Sequence, residues 1–165
     1  MPDLQFQLSP MARVDLAAID RLEANAFGPG RFARTAYRLR EGAQPDWALS
    51  FVARVGPLMV GANRMTGILC GGQRALLLGP LTVEPAFHAR GIGAALVARS
   101  LDEARAGGHA LVILVGDEPY YARFGFVRVA PGRLVLPGPV DAARLLVCEL
   151  AAGAFAGVAG VVARG

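Results

Sequence analysis

EPAFHARGIGAALVARS, residues 84–100, sets two glycines one residue apart directly ahead of an alanine-rich apolar run. Gly91 and Gly93 permit a tight backbone with accessible N–H groups. The run after them has helical spacing, so the stretch reads as a loop feeding a helix N-terminus, a place where anions bind. Two readings stand at this point: a cradle for phosphate groups, or a tight strand-to-helix turn that holds nothing.

The surroundings supply a strand on each side. Trp47 to Val55, Leu58 to Leu69 and Arg74 to Val83 are strand-like runs joined by turn signals at Gly56-Pro57 and Gly71-Gly72, the pattern of an antiparallel meander. The helix after the glycines gathers Ile92, Leu96, Leu101 and Ala104 on one face, leaves Arg99, Asp102, Glu103 and Arg105 to solvent, and ends at Gly107-Gly108. Ala110 to Val115 is continuously apolar, as a buried parallel strand is, which completes a β-α-β unit. Asp117 is positioned to cap a short helix, EPYYARF, before Gly125. Leu145 to Leu150 reads as a further strand after the PGP turn at 137–139, and the glycine-rich tail offers an edge strand or a partner contact, with which a homodimer is compatible.

Toward the N-terminus, Leu4 to Leu8 alternates as a first strand, and Ser9 with Pro10 supplies a helix cap and a first-turn proline. Leu16, Ile19, Leu22 and Ala26 then share one helix face, with Asp15, Asp20 and Glu23 elsewhere. FGPG breaks that helix, and Arg31 to Arg40 forms a second, with Phe32, Ala36 and Leu39 on one side and Arg34 and Arg38 on another. The expectation is one α/β domain over residues 1–165, a mixed and mostly antiparallel sheet flanked by helices.

Composition narrows the function. With 54% apolar and 18% charged residues, the chain has the material for a large dry interior and not for disorder. Cys70 and Cys148 are the only cysteines, both inside apolar runs, which fits buried thiols in a reducing compartment. Two histidines and no CxxC pair give no metal-ligand pattern. All 17 basic side chains are arginine, but they are scattered from Arg13 to Arg164, whereas a nucleic-acid binder concentrates its charge. MPDLQFQLSP lacks the basic and apolar regions of a signal peptide, and the uncharged tract from Leu150 to Ala163 is shorter than the roughly 20 residues of a membrane span. A cytoplasmic protein that binds neither nucleic acid nor membrane is expected.

Three features follow in order: LGPLTVEP at a strand end, HARGIG at a helix start, and YYARFGF after the next strand. In this order the chain resembles the GNAT superfamily of acetyl-CoA-dependent N-acyltransferases, and in particular its YhbS-like bacterial branch. The resemblance spans roughly Val52 to Leu150 and is strongest from Leu78 to Phe126. The family's turn signature, Gln or Arg, two residues, Gly, one residue, Gly or Ala, falls on His88, Ala89, Arg90, Gly91, Ile92 and Gly93, with His88 a departure at the first place. The resemblance implies that the backbone of this turn, through Ala94, binds the diphosphate of acetyl-CoA, with Arg90 adding charge. A dinucleotide turn would want a third glycine where Leu96 stands, and no GxxxxGK[ST] occurs.

The resemblance further implies that the backbone of Leu81, Thr82 and Val83 holds the pantetheine arm, where the strand parts from its parallel neighbour. Tyr121 matches the tyrosine four residues before the Gly-Phe pair and is the implied general acid for the departing thiolate, against the alternative of a core aromatic. Tyr120, Phe124 and Phe126 read as core. The carboxylate that some members carry before the turn is replaced here by Leu76-Leu77-Leu78, which leaves Glu84, Asp117 and His88 as candidate bases, each with a plain structural alternative, and His109 as a turn residue. Arg31, Arg34 and Arg38 either select an anionic acceptor or form a solvated face. The implied reaction is direct acetyl transfer from acetyl-CoA, without a metal, to a small-molecule or peptide amine. The alternative is an acyl-CoA-binding regulatory or sensor module without turnover.

Overall fold

Glycine and proline punctuation sets out a nine-stranded sheet in the computed structural model, which describes residues 5–27 and 35–165. The strands are β1 (Gln7–Pro10), β2 (Phe51–Val55), β3 (Leu58–Cys70), β4 (Gln73–Val83), β5 (Leu111–Val115), β6 (Val127–Arg128), β7 (Leu134–Val135), β8 (Leu145–Glu149) and β9 (Gly160–Arg164). The helices are α1 (Leu16–Phe27), α2 (Thr35–Arg40), α3 (Ile92–Ala106) and α4 (Glu118–Tyr121), and short 3-10 turns join several of them. The main path runs β1-β2-β3-β4-β5-β8-β6. Gly71 and Gly72 both take positive φ, 54° and 82°, as the two central residues of a type I′ hairpin turn must, and β3 and β4 pair from Cys70↔Gln73 to Gly61↔Val83.

The one parallel contact on this path is short. β4 and β5 pair at Leu76↔Val112 and Leu77↔Ile113 and nowhere else, although β4 continues to Val83 and β5 to Val115. Beyond Leu77 the two strands splay. β8 covers the other edge of β5 along its whole length, from Leu111↔Glu149 to Val115↔Leu145.

Side chains alternate between two cores, so the central strands read as unbroken apolar runs. Leu76, Leu78, Val112, Leu114 and Leu146 face α3 through Val97, Leu101 and Ala104, together with Phe126. Leu77, Ile113, Val147 and Ile68 face the opposite side with Leu39 of α2, Phe155 and Val162. The tail adds a strand, as expected: β9 pairs with β3 from Cys70↔Val162 to Ile68↔Arg164 and runs parallel to β7.

Local chemistry overrode the expectation at several places. The first strand is Gln7–Pro10, not Leu4 to Leu8, so Ser9 and Pro10 lie in the sheet and cap nothing. The helical region opens instead at Ala12, whose N–H donates to the Asp15 carboxylate at 2.9 Å. Asp15 is buried and pairs with Arg54 at 2.5 Å. Trp47 to Leu49 form a turn ahead of β2. Asp117 occupies the N-cap position of α4, but its carboxylate makes no cap bond. Of the second helix, Thr35–Arg40 is observed; Leu4, Gly28 to Gly30, Arg31, Phe32 and Arg34 lie outside the described residues. The two-residue strands β6 and β7 had no sequence signal of their own.

Candidate active site

The glycine turn is built by two left-handed residues. Ala89 has φ 59° and Gly91 φ 81°. An alanine in that region costs on the order of 1 kcal/mol, and a Cβ built on Gly91 would meet nothing within 4 Å, so the turn is bent by its own backbone with open space before it. The first bond of the α3 ladder is Ala95 N–H to Gly91 O at 3.0 Å. Ahead of it, the N–H groups of Ala89, Arg90, Gly91, Ile92, Gly93 and Ala94 donate to no described residue. Six consecutive free amides at the positive end of a fifteen-residue helix fit a diphosphate.

His88, the departure from the family pattern, has a different task from side-chain contact with an anion. Its Nε2 lies 2.8 Å from Val83 O, and because a carbonyl only accepts, Nε2 carries the proton. The imidazole thereby ties the turn to the end of β4. Arg90 is exposed and does not line the cleft.

Strand alternation divides the three residues before the turn. Glu84 N–H donates to Val60 O at 2.8 Å, so the backbone groups of Thr82, two residues earlier, also point at β3, opposite Ala62. Leu81 and Val83 turn theirs to the splayed side. The Thr82 side chain is buried and its Oγ1 has no partner, so of the triplet Leu81 and Val83 line the cleft and Thr82 does not.

The cleft between the splayed strands encloses about 1230 Å³. One end is the glycine turn, and the other is closed by Glu23 and Tyr37 of the early helices and by Asp141 and Arg144. Gly79-Pro80, a cis peptide in β4, and Arg40, which donates to Gly79 O at 2.9 Å, stand between the two ends.

Tyr121 lines the cleft with its ring pressed on Gly116, where a Cβ would come within 2.6 Å of the ring edge. Phe126 meets it edge-on at 5.9 Å and Tyr120 at 4.9 Å. Burial, with smaller contributions from Tyr120 and Asp117, pushes its phenol up to about 12. Tyr120 is half-buried and lines the same cleft, so it is not the core aromatic expected; Phe124 is half-buried and Phe126 is core.

Among the candidate bases, Glu84 does not line the cleft, Asp117 is exposed with Arg144 at 3.7 Å, and His88 is committed to Val83; His109, expected as a turn residue, does not line the cleft either. Glu23 was missed. It is 4% exposed and is the only buried carboxylate among the described cleft residues. Its position one turn after Ile19 and next to Leu22, both buried, was the available signal. Arg38 is exposed and donates to Pro137 O at 3.2 Å, while Arg31 and Arg34 lie outside the described residues.

Neither thiol is a nucleophile near neutral pH. Burial raises Cys70 to about 11 and raises Cys148 as well. A thiol of this kind carries about a hundredfold less thiolate than a free one. A thiol-specific reagent should therefore label the native protein slowly and both cysteines rapidly after denaturation; prompt labelling of the folded chain would contradict this. Among the described residues there is also no group of side chains suited to a metal ion and no helix long and apolar enough to cross a membrane.

A parallel pair that parts beside a turn of free amides, on a strand path otherwise antiparallel, is the arrangement of the cofactor site in one large class of acyltransferases. The chain belongs to the GNAT superfamily of N-acetyltransferases. It is 28% identical over 151 residues to the uncharacterized N-acetyltransferase YhbS of Escherichia coli K12, covering 90% of each chain. It is 30% identical over 116 residues to the uncharacterized N-acetyltransferase YjhQ of the same organism, covering 68% of this chain and 64% of the relative. The crystal structure of YhbS in complex with CoA matches all of this chain and 92% of its own with a TM-score of 0.84 at 26% identity. A GNAT acetyltransferase of Brucella melitensis in complex with acetyl-CoA matches with a TM-score of 0.65 at 27% identity, over 84% of this chain and 94% of its own. No family model matches the chain.

Proposed function

We propose that the protein transfers the acetyl group of acetyl-CoA directly to an amine, in a complex that holds both reactants in the one cleft. The run of free amides from Ala89 to Ala94 carries this reading, since it fits the diphosphate, and the Leu81 backbone with the Val83 N–H, left without a strand partner where β5 parts from β4, fits the amide-bearing arm; the Val83 carbonyl is taken by His88. Bound there, acetyl-CoA supplies an activated thioester.

In the transfer, a C–N bond forms to the neutral amine, the C–S bond breaks, and the proton that the nitrogen loses ends on the departing sulfur, so that an amide and the CoA thiol are the products. The Val83 and Leu81 amides lie on the side where an oxyanion is stabilised, and Tyr121 donates its phenolic hydrogen to the departing sulfur. A phenol at about 12 opposes complete proton transfer to a thiolate whose free conjugate acid has pKa about 8.5. Tyr121 therefore acts first as a hydrogen-bond donor that stays neutral at working pH. The buried Cys70 and Cys148 take no part. Glu23, which also interacts electrostatically with Arg64, lines the cleft that a small-molecule or peptide amine would share.

Thermal unfolding with acetyl-CoA, CoA, NAD, ATP and a DNA duplex tests the reading. At a hundred times its dissociation constant a ligand adds about 2.7 kcal/mol. Acetyl-CoA and CoA should raise the midpoint, and NAD and DNA should not. A shift with NAD or DNA alone would overturn the assignment of the turn.

A further inference from the structure

The hydroxyl of Tyr120 lies in the cleft against the first turn of α3. A Cβ built on Gly93 would fall 2.9 Å from Tyr120 Oη, 3.6 Å from Val83 Cγ2 and 3.7 Å from Leu81 Cδ2. Tyr120 thus reaches from α4, on the β5 side, to the first turn of α3, on the β4 side. Its ring is held without help from the hydroxyl: Arg123 lies 4.6 Å over one face and anchors its Nε on Tyr120 O at 3.0 Å, and Tyr121 and Phe124 pack at its edges. The hydroxyl itself makes no hydrogen bond to a described residue, and it leans on Gly93 in the first turn of α3, whose Gly93 and Ala94 N–H groups donate to no described residue.

The geometry points to Tyr120 as a cofactor-positioning residue whose phenol, together with the Gly93 and Ala94 amides, donates to the diphosphate of the acyl-CoA. This rests on the acetyl-CoA reading above. The two neighbouring tyrosines then divide the work. Tyr120 grips the phosphate end of the ligand, and Tyr121, one residue on and turned toward Gly116, serves the sulfur end. Burial keeps the Tyr120 phenol raised and neutral, so it remains a donor opposite an anion. Gly93 is glycine because the hydroxyl leans on its Cα.

The test is calorimetric binding of three ligands to the wild type, Tyr120→Phe and Tyr121→Phe. Acetyl-CoA carries both ligand parts, ADP the diphosphate alone, and S-acetylpantetheine the arm alone. A hydrogen bond to a charged group is worth enough that Tyr120→Phe should weaken acetyl-CoA and ADP by about tenfold or more. It should leave S-acetylpantetheine unchanged. Tyr121→Phe should leave all three dissociation constants within about twofold, since its contribution is to the reacting sulfur. In turnover, Tyr120→Phe should raise KM for acetyl-CoA with kcat kept. Equal affinity of wild type and Tyr120→Phe for acetyl-CoA and ADP overturns the inference, as does a loss confined to S-acetylpantetheine. A wild type that binds no acetyl-CoA overturns the acetyltransferase reading instead. Phenylalanine keeps the ring and its packing, and a melt of the unliganded variant at the wild-type midpoint shows that folding is not the cause.

Discussion

Tyr121→Phe should lower kcat by roughly a hundredfold or more while the acetyl-CoA melting shift stays at the wild-type value. The substitution removes one oxygen and keeps the ring that packs on Gly116 and Phe126, so the fold has no reason to respond. Only a contribution made at the sulfur during transfer is lost, and it appears in kcat and kcat/KM alike. The pH profile gives an independent check. Because the phenol lies at about 12, it stays protonated across the usual assay range, and the wild-type rate should show no alkaline fall owed to this tyrosine below that pH. A Phe variant with near-wild-type kcat would remove Tyr121 from the chemistry. A wild type that binds acetyl-CoA yet turns over no amine would instead be the sensor module.

Phe126→Ala should cost about 3–5 kcal/mol of unfolding free energy. Phe126 is 1% exposed, the largest ring in the core that joins α3 to β4, β5 and β8, and it lies edge-on to Tyr121. Its removal opens a cavity directly behind the proposed hydrogen-bond donor. Denaturant titration should show a lower midpoint at unchanged slope. A loss below about 1 kcal/mol would mean that the site collapses around the gap and that the ring does not brace Tyr121.

The sheet and its crossover were legible because each rests on local, periodic information. LVILV can only be covered on both faces, Gly71-Gly72 can only turn, and the helix after Gly91 repeats its apolar positions. The same logic failed where a distant partner decided the matter. Ser9-Pro10 is a reasonable cap in isolation, but Ser9 pairs with Val52 of β2, and Asp15 supplies the cap instead because Arg54 reaches it across the sheet. Glu23 was set aside as polar, although its helical position put it among buried neighbours over the cleft. For the site, the motif brought out His88, the glycines and Tyr121, with a role for the glycines and for Tyr121 but not what His88 binds. That His88 binds Val83 O, that Thr82 turns its backbone to β3, and that Tyr120 leans on Gly93 depend on strand phase and on the α3–α4 distance, which no spacing in the sequence encodes.

The short β4–β5 pairing also bears on solubility. A strand with unsatisfied backbone groups is ordinarily a hazard, since another chain can add to it and start a fibre. Here the unpaired groups of Leu81 and the Val83 N–H line a cleft that α3 and the Tyr120-Tyr121 corner also line, and His88 caps the Val83 carbonyl, so little of the edge is left for a neighbouring chain. In the proposed complex an extended ligand with amides of its own would complete the sheet as a temporary strand, so that the edge is covered by a ligand and not by another chain.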